Sequence, residues 1–460
     1  MKKSVLLLIS ALCLLQFSSA QSSTSFSNGD RWCALGDSIT HGGSYHREVE
    51  VFYVTRFPES KLEVINCGIG GDRASGALRR LSWDCLDHKP TVVSVMLGMN
   101  DVNRNLYDAS NIPSSQLEAL KGEANGAYRT NMATLTSLIT NSGARLILIT
   151  PSIFDDTGQL KATNKPGCAA ALSRFAHEVE SLAAQRGALL VDFNGPMTTI
   201  NTAVQKTNAS ASIVGPDRVH PGPVGHFVMA YEFLKAQKPS GDVSRIGVDA
   251  ASGKAVSCDN CDLTDIKATP EELSFTCLEK SLPFPLTDEI KGALDFVPFN
   301  SEFNRETLKV SGLKPGSYKL SIDGNPIRNY TADELASGVN LATEQTPQLK
   351  QAEEVRKILG KKWAAAAKIR SIAAMENGVG GSSPHSDGAS EAATMKSKID
   401  SWALVHTTDR DILSLKAYNE SKPNESALNK TLLDTAAEAH AAAKPFPHQF
   451  ALKKVPTPDS

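Results

Sequence analysis

Between residue 31 and about residue 237, short runs of consecutive apolar residues alternate with longer stretches in which apolar residues recur every three or four positions. The short runs are "RWCAL", "KLEVINC", "TVVSVML", "ARLILIT" and "ALLVDF". Runs of this length, rich in β-branched residues, predict strands buried on both faces. The stretches between them, "SYHREVEVFYVTRF", "RASGALRRLSWDCL", "GAYRTNMATLTSLITN" and "GCAAALSRFAHEVESLAAQRG", have the spacing of amphipathic helices. Strands separated by helices predict a parallel sheet covered on both sides, a doubly wound α/β domain of five strands over residues 21–240.

The pattern changes at "KPSGDV", a linker composition at 238–243. The runs "ELSFTCLEK", "ALDFVPF", "ETLKVSGL" and "GSYKLSIDG" predict a small β-rich module over 241–330, its last two strands joined through a Lys-Pro-Gly turn. The chain then becomes rich in Ala, Lys and Glu, which predicts a helical region over 331–445 around the Gly/Ser loop "NGVGGSSPHSDG". A loose tail is expected at 446–460. No internal repeat is visible.

The first residues change the picture of where the protein works. Lys2 and Lys3 precede an apolar run that ends in Ser18-Ser19-Ala20, the layout of a signal peptide over 1–20 with cleavage after Ala20. The run is shorter than the roughly 20 residues of a membrane span, so the expectation is a secreted or periplasmic protein with no stable membrane insertion. Composition adds exclusions rather than chemistry. With 460 residues, 41% hydrophobic and 21% charged, and a formal net charge of -2, the chain has material for two or three domains and no basic excess to attract nucleic acid. Beyond the leader the cysteines are Cys33, Cys67, Cys85, Cys168, Cys258, Cys261 and Cys277, an odd set. Cys33 and Cys67 read as small core residues, and "CDNC" at 258–261 as a structural disulfide in an oxidising compartment.

Four of the predicted strand ends carry reactive or donor side chains. "GDSIT" places Ser38 after the first strand, "GIGGD" places Gly71 after the second, "GMND" places Asn100 after the third, and "DRVH" places Asp217 and His220 beyond the fifth. A serine nucleophile needs a base for its proton, a carboxylate to hold the base and donors for the oxyanion. His220 can be that base, Asp217 can reach its other ring nitrogen, Gly71 lets a backbone N–H approach substrate closely, and Asn100 offers an amide donor. Ser38 and Asp37 also suit a helix N-cap.

Taken in order, these four blocks resemble those of the SGNH, or GDSL, hydrolase family. The resemblance covers about residues 31–237. It implies a flavodoxin-like arrangement of the five strands and a carboxylic ester hydrolase with Ser38 as nucleophile, His220 as base and Asp217 as its orienting carboxylate. It also implies an oxyanion hole made of the Ser38 and Gly71 N–H groups and the Asn100 side chain, with neither cofactor nor metal. Met99 stands where many members have Thr, which leaves the Asn100 amide in place. Asp37, Arg73 and Asn103 adjoin the blocks and are candidate substrate contacts; capping and surface roles stay open for Arg73, Asn103, Arg104 and Tyr107, and His41 and His46 are equally open.

Competing motifs are incomplete. "GIGGDR" has Arg73 in place of a third dinucleotide-binding glycine, "HEVES" lacks the second histidine of a zinc helix, and there is no GxSxG elbow. His385 and Asp387 read as loop polar residues. The expected function is a secreted serine esterase acting on short-chain, first of all acetyl, O-esters of carbohydrate, so that an acylated saccharide is the partner. A lysophospholipase or general short-chain acyl esterase is the alternative, and a non-catalytic secreted carbohydrate-binding protein is the alternative of a different class.

Overall fold

A computed structural model describes residues 24–456 apart from 270, 381–388 and 407. The expected signal peptide, and the polar pair His385 and Asp387, lie outside the described residues. The first half alternates as its periodicity predicts: β1 (Arg31–Gly36), α1 (Ser38–Gly42), α2 (Ser44–Arg56), β2 (Glu63–Gly68), α3 (Ala74–Asp84), β3 (Val92–Met96), α4 (Ser114–Asn141), β4 (Arg145–Ile149), α5 (Cys168–Arg186), β5 (Leu189–Val191), α6 (Asn194–Thr207) and α7 (Pro223–Gln237). The five strands form one parallel sheet in the order β2-β1-β3-β4-β5. Trp32, Cys33, Ala34 and Leu35 of β1, and Val92, Val93 and Val95 of β3, are fully buried, as continuous apolar strands covered on both faces must be.

The register sets the site. Gly36, at the end of β1, is level with Gly68 on one side and Met96 on the other, so the three loops that follow leave the same edge of the sheet. In open α/β sheets ligands bind at this carboxyl edge, where the strand order reverses. The loops can converge because α1 sits directly on the end of β2: a Cβ at Gly68 would stand 2.2 Å from the backbone nitrogen of His41.

The second half has β6 (Asp242–Asp249), β7 (Lys254–Asp259), β8 (Cys261–Ala268), β9 (Glu272–Glu279), α8 (Asp288–Lys291), α9 (Phe299–Phe303), β10 (Arg305–Ser311), β11 (Ser317–Ile322), β12 (Asn325–Thr331), α10 (Ala332–Ser337), β13 (Val339–Asn340), α11 (Pro347–Gly380), α12 (Ala389–Val405), α13 (Asp409–Ser421), α14 (Glu425–Ala442) and β14 (His448–Lys454). Two further sheets result, ordered β13-β10-β6-β7 and β12-β11-β14-β9-β8.

Four expectations are corrected here. The described part of the tail is not loose: β14, at 448–454, inserts between β11 and β9 and pairs antiparallel with both. Its buried His448, Phe450 and Leu452 alternate with more exposed residues, and Phe450 stacks on Phe275 with ring centroids 5.0 Å apart. The run at 293–299 forms no strand: it passes from a 3-10 turn through three irregular residues to the start of α9. Cys258 and Cys261 are not bridged; Cys258 is exposed at the end of β7, while Cys261 turns inward, where its thiol meets that of Cys277. Nor is residue 240 a packing boundary. Phe284 and Phe299 pack tilted and edge-on against Phe227, and Phe303 edge-on against Phe52, of the α/β domain, and Ala352, Val355, Ile358 and Leu359 of α11 join the same core.

Candidate active site

Asp37 ends the first strand's turn as the N-cap of α1, its carboxylate accepting the Ile39 N–H at 3.0 Å. The cap sets the helix start so that Ser38, its first residue, stands at the sheet edge. Ser38 Oγ donates to His220 Nε2 at 2.7 Å, and His220 Nδ1 donates to Asp217 Oδ2 at 2.5 Å. The partners assign the tautomer: a carboxylate only accepts, so the ring proton lies on Nδ1 and Nε2 is left to receive the serine proton. Asp217 Oδ1 accepts the N–H groups of Val219 and His220, each at 3.0 Å. Burial acts to raise the Asp217 carboxyl, but the bond from the His220 ring and these two backbone bonds outweigh it and hold the carboxyl below its ordinary range. About half of each side chain is exposed, 47% for His220 and 51% for Asp217, so the site opens to solvent.

The loop that carries this pair is held from beneath by Arg218, between them in sequence and 3% exposed. Its backbone takes a positive φ of 72°, and its guanidinium donates to the carbonyls of Asp155, Gly158, Leu160 and Ala162. Sequence reasoning passed over Arg218, because an arginine in a polar loop carries no signal of burial.

The expected oxyanion donors stand on the loops after β1, β2 and β3, which leave the same edge of the sheet. Ser38 N–H belongs to the first turn of a helix and has no intrahelical acceptor. Gly71 is exposed, with φ 77° in the loop after β2. Asn100 follows β3, its Nδ2 donating to the Asp72 carbonyl at 2.9 Å and its Oδ1 accepting from Arg104 Nη1 at 3.2 Å. Asp72 itself is anchored by Arg80 Nε at 2.7 Å. Next to Asn100, Asp101 accepts the Ala74 N–H at the start of α3, and burial pushes its carboxyl up to about 6.

The candidate substrate contacts separate on exposure. Asp37 is 1% exposed, which removes it from direct contact with substrate. Burial drives its carboxyl up to about 7, against the pull of the Ile39 N–H. Arg73 is exposed at the N-cap of α3. Asn103 serves the turn through its backbone, with φ 53° and its N–H on the Asn100 carbonyl at 3.2 Å. His41 Nδ1 donates to the Gly68 carbonyl at 3.0 Å, while His46 is a core residue packed edge-on to Trp32 and Tyr45, which burial pushes down to about 3. Tyr107 is half-buried, with the Lys121 ammonium over its ring. The sulfurs of Cys33, Cys67 and Cys85 lie within 4.8 Å of one another, a set able to ligate a soft metal, but all three are fully buried.

Comparison with known proteins bears on the family. The model of the GDSL-like Lipase/Acylhydrolase family matches residues 34–227. The chain is 28% identical over 228 residues to an acetylxylan esterase of Geobacillus stearothermophilus, across 45% of this chain and 94% of that one. It is 28% identical over 126 residues to an arylesterase of Vibrio mimicus, across 26% of this chain and 54% of that one. Among solved structures, a gut microbial diltiazem-metabolizing enzyme is similar over 94% of this chain and 99% of its own, with 30% identity and a TM-score of 0.83.

Proposed function

The chain belongs to the GDSL-like lipase/acylhydrolase family and is a carboxylic ester hydrolase, and from that premise we propose that it is an exported serine esterase that removes acetyl groups from carbohydrate. The observation that carries the catalytic part is the continuous chain from Ser38 Oγ to His220 Nε2 at 2.7 Å and from His220 Nδ1 to Asp217 at 2.5 Å.

In this mechanism Ser38 Oγ attacks the ester carbonyl as its proton passes to His220 Nε2, and Asp217 stabilises the imidazolium that forms. The carbonyl oxygen, now an oxyanion, accepts from the N–H groups of Ser38 and Gly71 and from Asn100 Nδ2. Collapse of the tetrahedral adduct breaks the ester C–O bond, and the leaving alcohol takes the proton from His220. Water then attacks the acetyl-serine by the same route in reverse, giving acetate and free Ser38.

The similarity to an acetylxylan esterase supports an acetylated saccharide as substrate. The half-exposed His220 and Asp217 fit an acyl group presented on a large alcohol at an open edge. Export rests on Lys2, Lys3 and the apolar run to Ala20, and among the described residues no helix is long and apolar enough to cross a membrane. The whole-length likeness to a diltiazem-metabolizing enzyme favours a second reading, a short-chain acyl esterase tolerant of the alcohol.

Acetate release from acetylated xylo-oligosaccharides, diltiazem and p-nitrophenyl acetate, beside fatty acid release from a lysophospholipid, separates these readings. The saccharide reading expects the highest kcat/KM on the oligosaccharides. Preference for diltiazem or for the lysophospholipid overturns it. N-terminal sequencing of the protein from its native host tests export, with Gln21 as the expected first residue.

A further inference from the structure

The Asn100 side chain has two polar ends, and its two partners are of opposite kinds. The Asp72 carbonyl can only accept, so the end that faces it at 2.9 Å is Nδ2; a guanidinium can only donate, so the end that faces Arg104 Nη1 at 3.2 Å is Oδ1. An amide held by the carbonyl alone keeps the freedom to swing about that one bond, and the guanidinium removes it. With both partners in place the amide plane is held, and the second Nδ2 hydrogen, the one not given to Asp72, has a set direction.

Arg104 reaches this position through its local fold. The backbone curls back after β3, with Val102 N–H on the Gly98 carbonyl at 3.0 Å and Asn103 N–H on the Asn100 carbonyl at 3.2 Å. Asn103 completes the turn at φ 53°, a conformation asparagine tolerates better than most residues. Arg104 therefore folds over the turn it follows, and the same Nη1 that meets Asn100 Oδ1 also donates to the Met99 carbonyl. One guanidinium nitrogen thus ties the backbone of the turn to the side chain it presents. Its positive charge at Oδ1 also draws electron density from Nδ2–H, which strengthens that donor toward an anion.

We infer that Arg104 is a positioning residue for ester hydrolysis, fixing and polarising the Asn100 amide so that its free N–H meets the oxyanion. The inference rests on the proposed role of Asn100 as an oxyanion donor. Arg104 acts through Asn100 and contributes most when charge has developed on the substrate oxygen, which places its effect on kcat rather than on KM.

The test is a double-mutant cycle on the full chain, with kcat and KM for p-nitrophenyl acetate and the melting temperature measured for wild type, Asn100→Ala, Arg104→Ala and the double variant. Arg104→Ala is expected to lower kcat by about tenfold with KM changed less than about twofold, a fraction of the 10²–10³ that loss of a whole oxyanion donor costs. In the Asn100→Ala background the same change should cost less than about twofold, because its target is gone. Multiplying fold-losses, or a folded Arg104→Ala enzyme with normal kcat, overturn the inference while leaving a slow Asn100→Ala enzyme to support the oxyanion reading. A normal kcat in Asn100→Ala instead removes the amide from the reaction and overturns both. Should Arg104→Ala melt early, Arg104→Lys carries the same cycle, with a smaller loss expected and the same dependence on Asn100.

Discussion

Arg356 meets Glu48 through both arms of its guanidinium, Nη1 to Oε1 at 2.9 Å and Nη2 to Oε2 at 2.7 Å, although the two residues are 308 positions apart. The contact fastens α11 to α2, the helix that follows the Ser38 turn. Lys362 and Trp363 add bonds to Glu50 about two turns further along α11, and Arg370 reaches Asp84 and the Asn66 carbonyl of the edge strand β2. Asn66 in turn binds the His41 carbonyl and the Gly68 N–H. The C-terminal half therefore braces the elements beneath the site, and a chain ending near Pro239 should expose Phe52 and Phe227 and aggregate rather than fold as an active core. Size-exclusion chromatography of that truncation checks it. In the full chain, Arg356→Met leaves Glu48 nearly buried without its partner, and a loss of about 3 kcal/mol in denaturant unfolding is expected.

Replacing Ser38 by Ala removes the hydroxyl that donates to His220 Nε2 and keeps the Cβ. Turnover of p-nitrophenyl acetate should fall by on the order of 10⁴ or more, with the melting temperature nearly unchanged. A phosphonate ester should label the wild type at Ser38 and leave the variant unlabelled by mass spectrometry.

Asp37 makes stability depend on pH with a defined sign. Its folded pKa of about 7 lies above the value of about 3.9 expected in the unfolded chain. Its contribution is full below pH 4, where both states are protonated. It is lost progressively as pH rises from about 4 to 7, because the unfolded chain ionises first and the folded one must bury the carboxylate. Asp37→Asn keeps an oxygen for the Ile39 N–H and cannot ionise. The variant's melting temperature should therefore gain on the wild type by a few degrees between pH 4 and pH 8, while Asp101 titrates in both.

Phe450 anchors β14 against Phe275 and is fully buried. Phe450→Ala should destabilise the protein by about 3–5 kcal/mol, read from urea unfolding followed by circular dichroism. Removing residues 446–460 should do more, since β11 and β9 would both become open edges.

The α/β half of the protein was determined by sequence patterns that act over short distances. Apolar runs specify buried strands whatever surrounds them, and the blocks at Ser38, Gly71 and Asn100 each follow a strand closely, so local order already places them at its end; Asp217 and His220 sit farther on, in the loop between α6 and α7. Asp217 and His220, three residues apart, pair within one loop. What tertiary structure alone decided depends on residues far apart in the chain. The 2.7 Å approach of His220 to Ser38 spans 182 positions and depends on the shared register of β1, β2 and β3. The strand identity of 448–454 depends on a gap between β9 and β11, since a seven-residue alternating segment folds as a strand only where neighbours complete its hydrogen bonds. Burial of Arg218 is likewise set by what packs around it: a polar side chain enters a protein interior only where enough partners converge, and the carbonyls of Asp155 and Ala162 come from another loop.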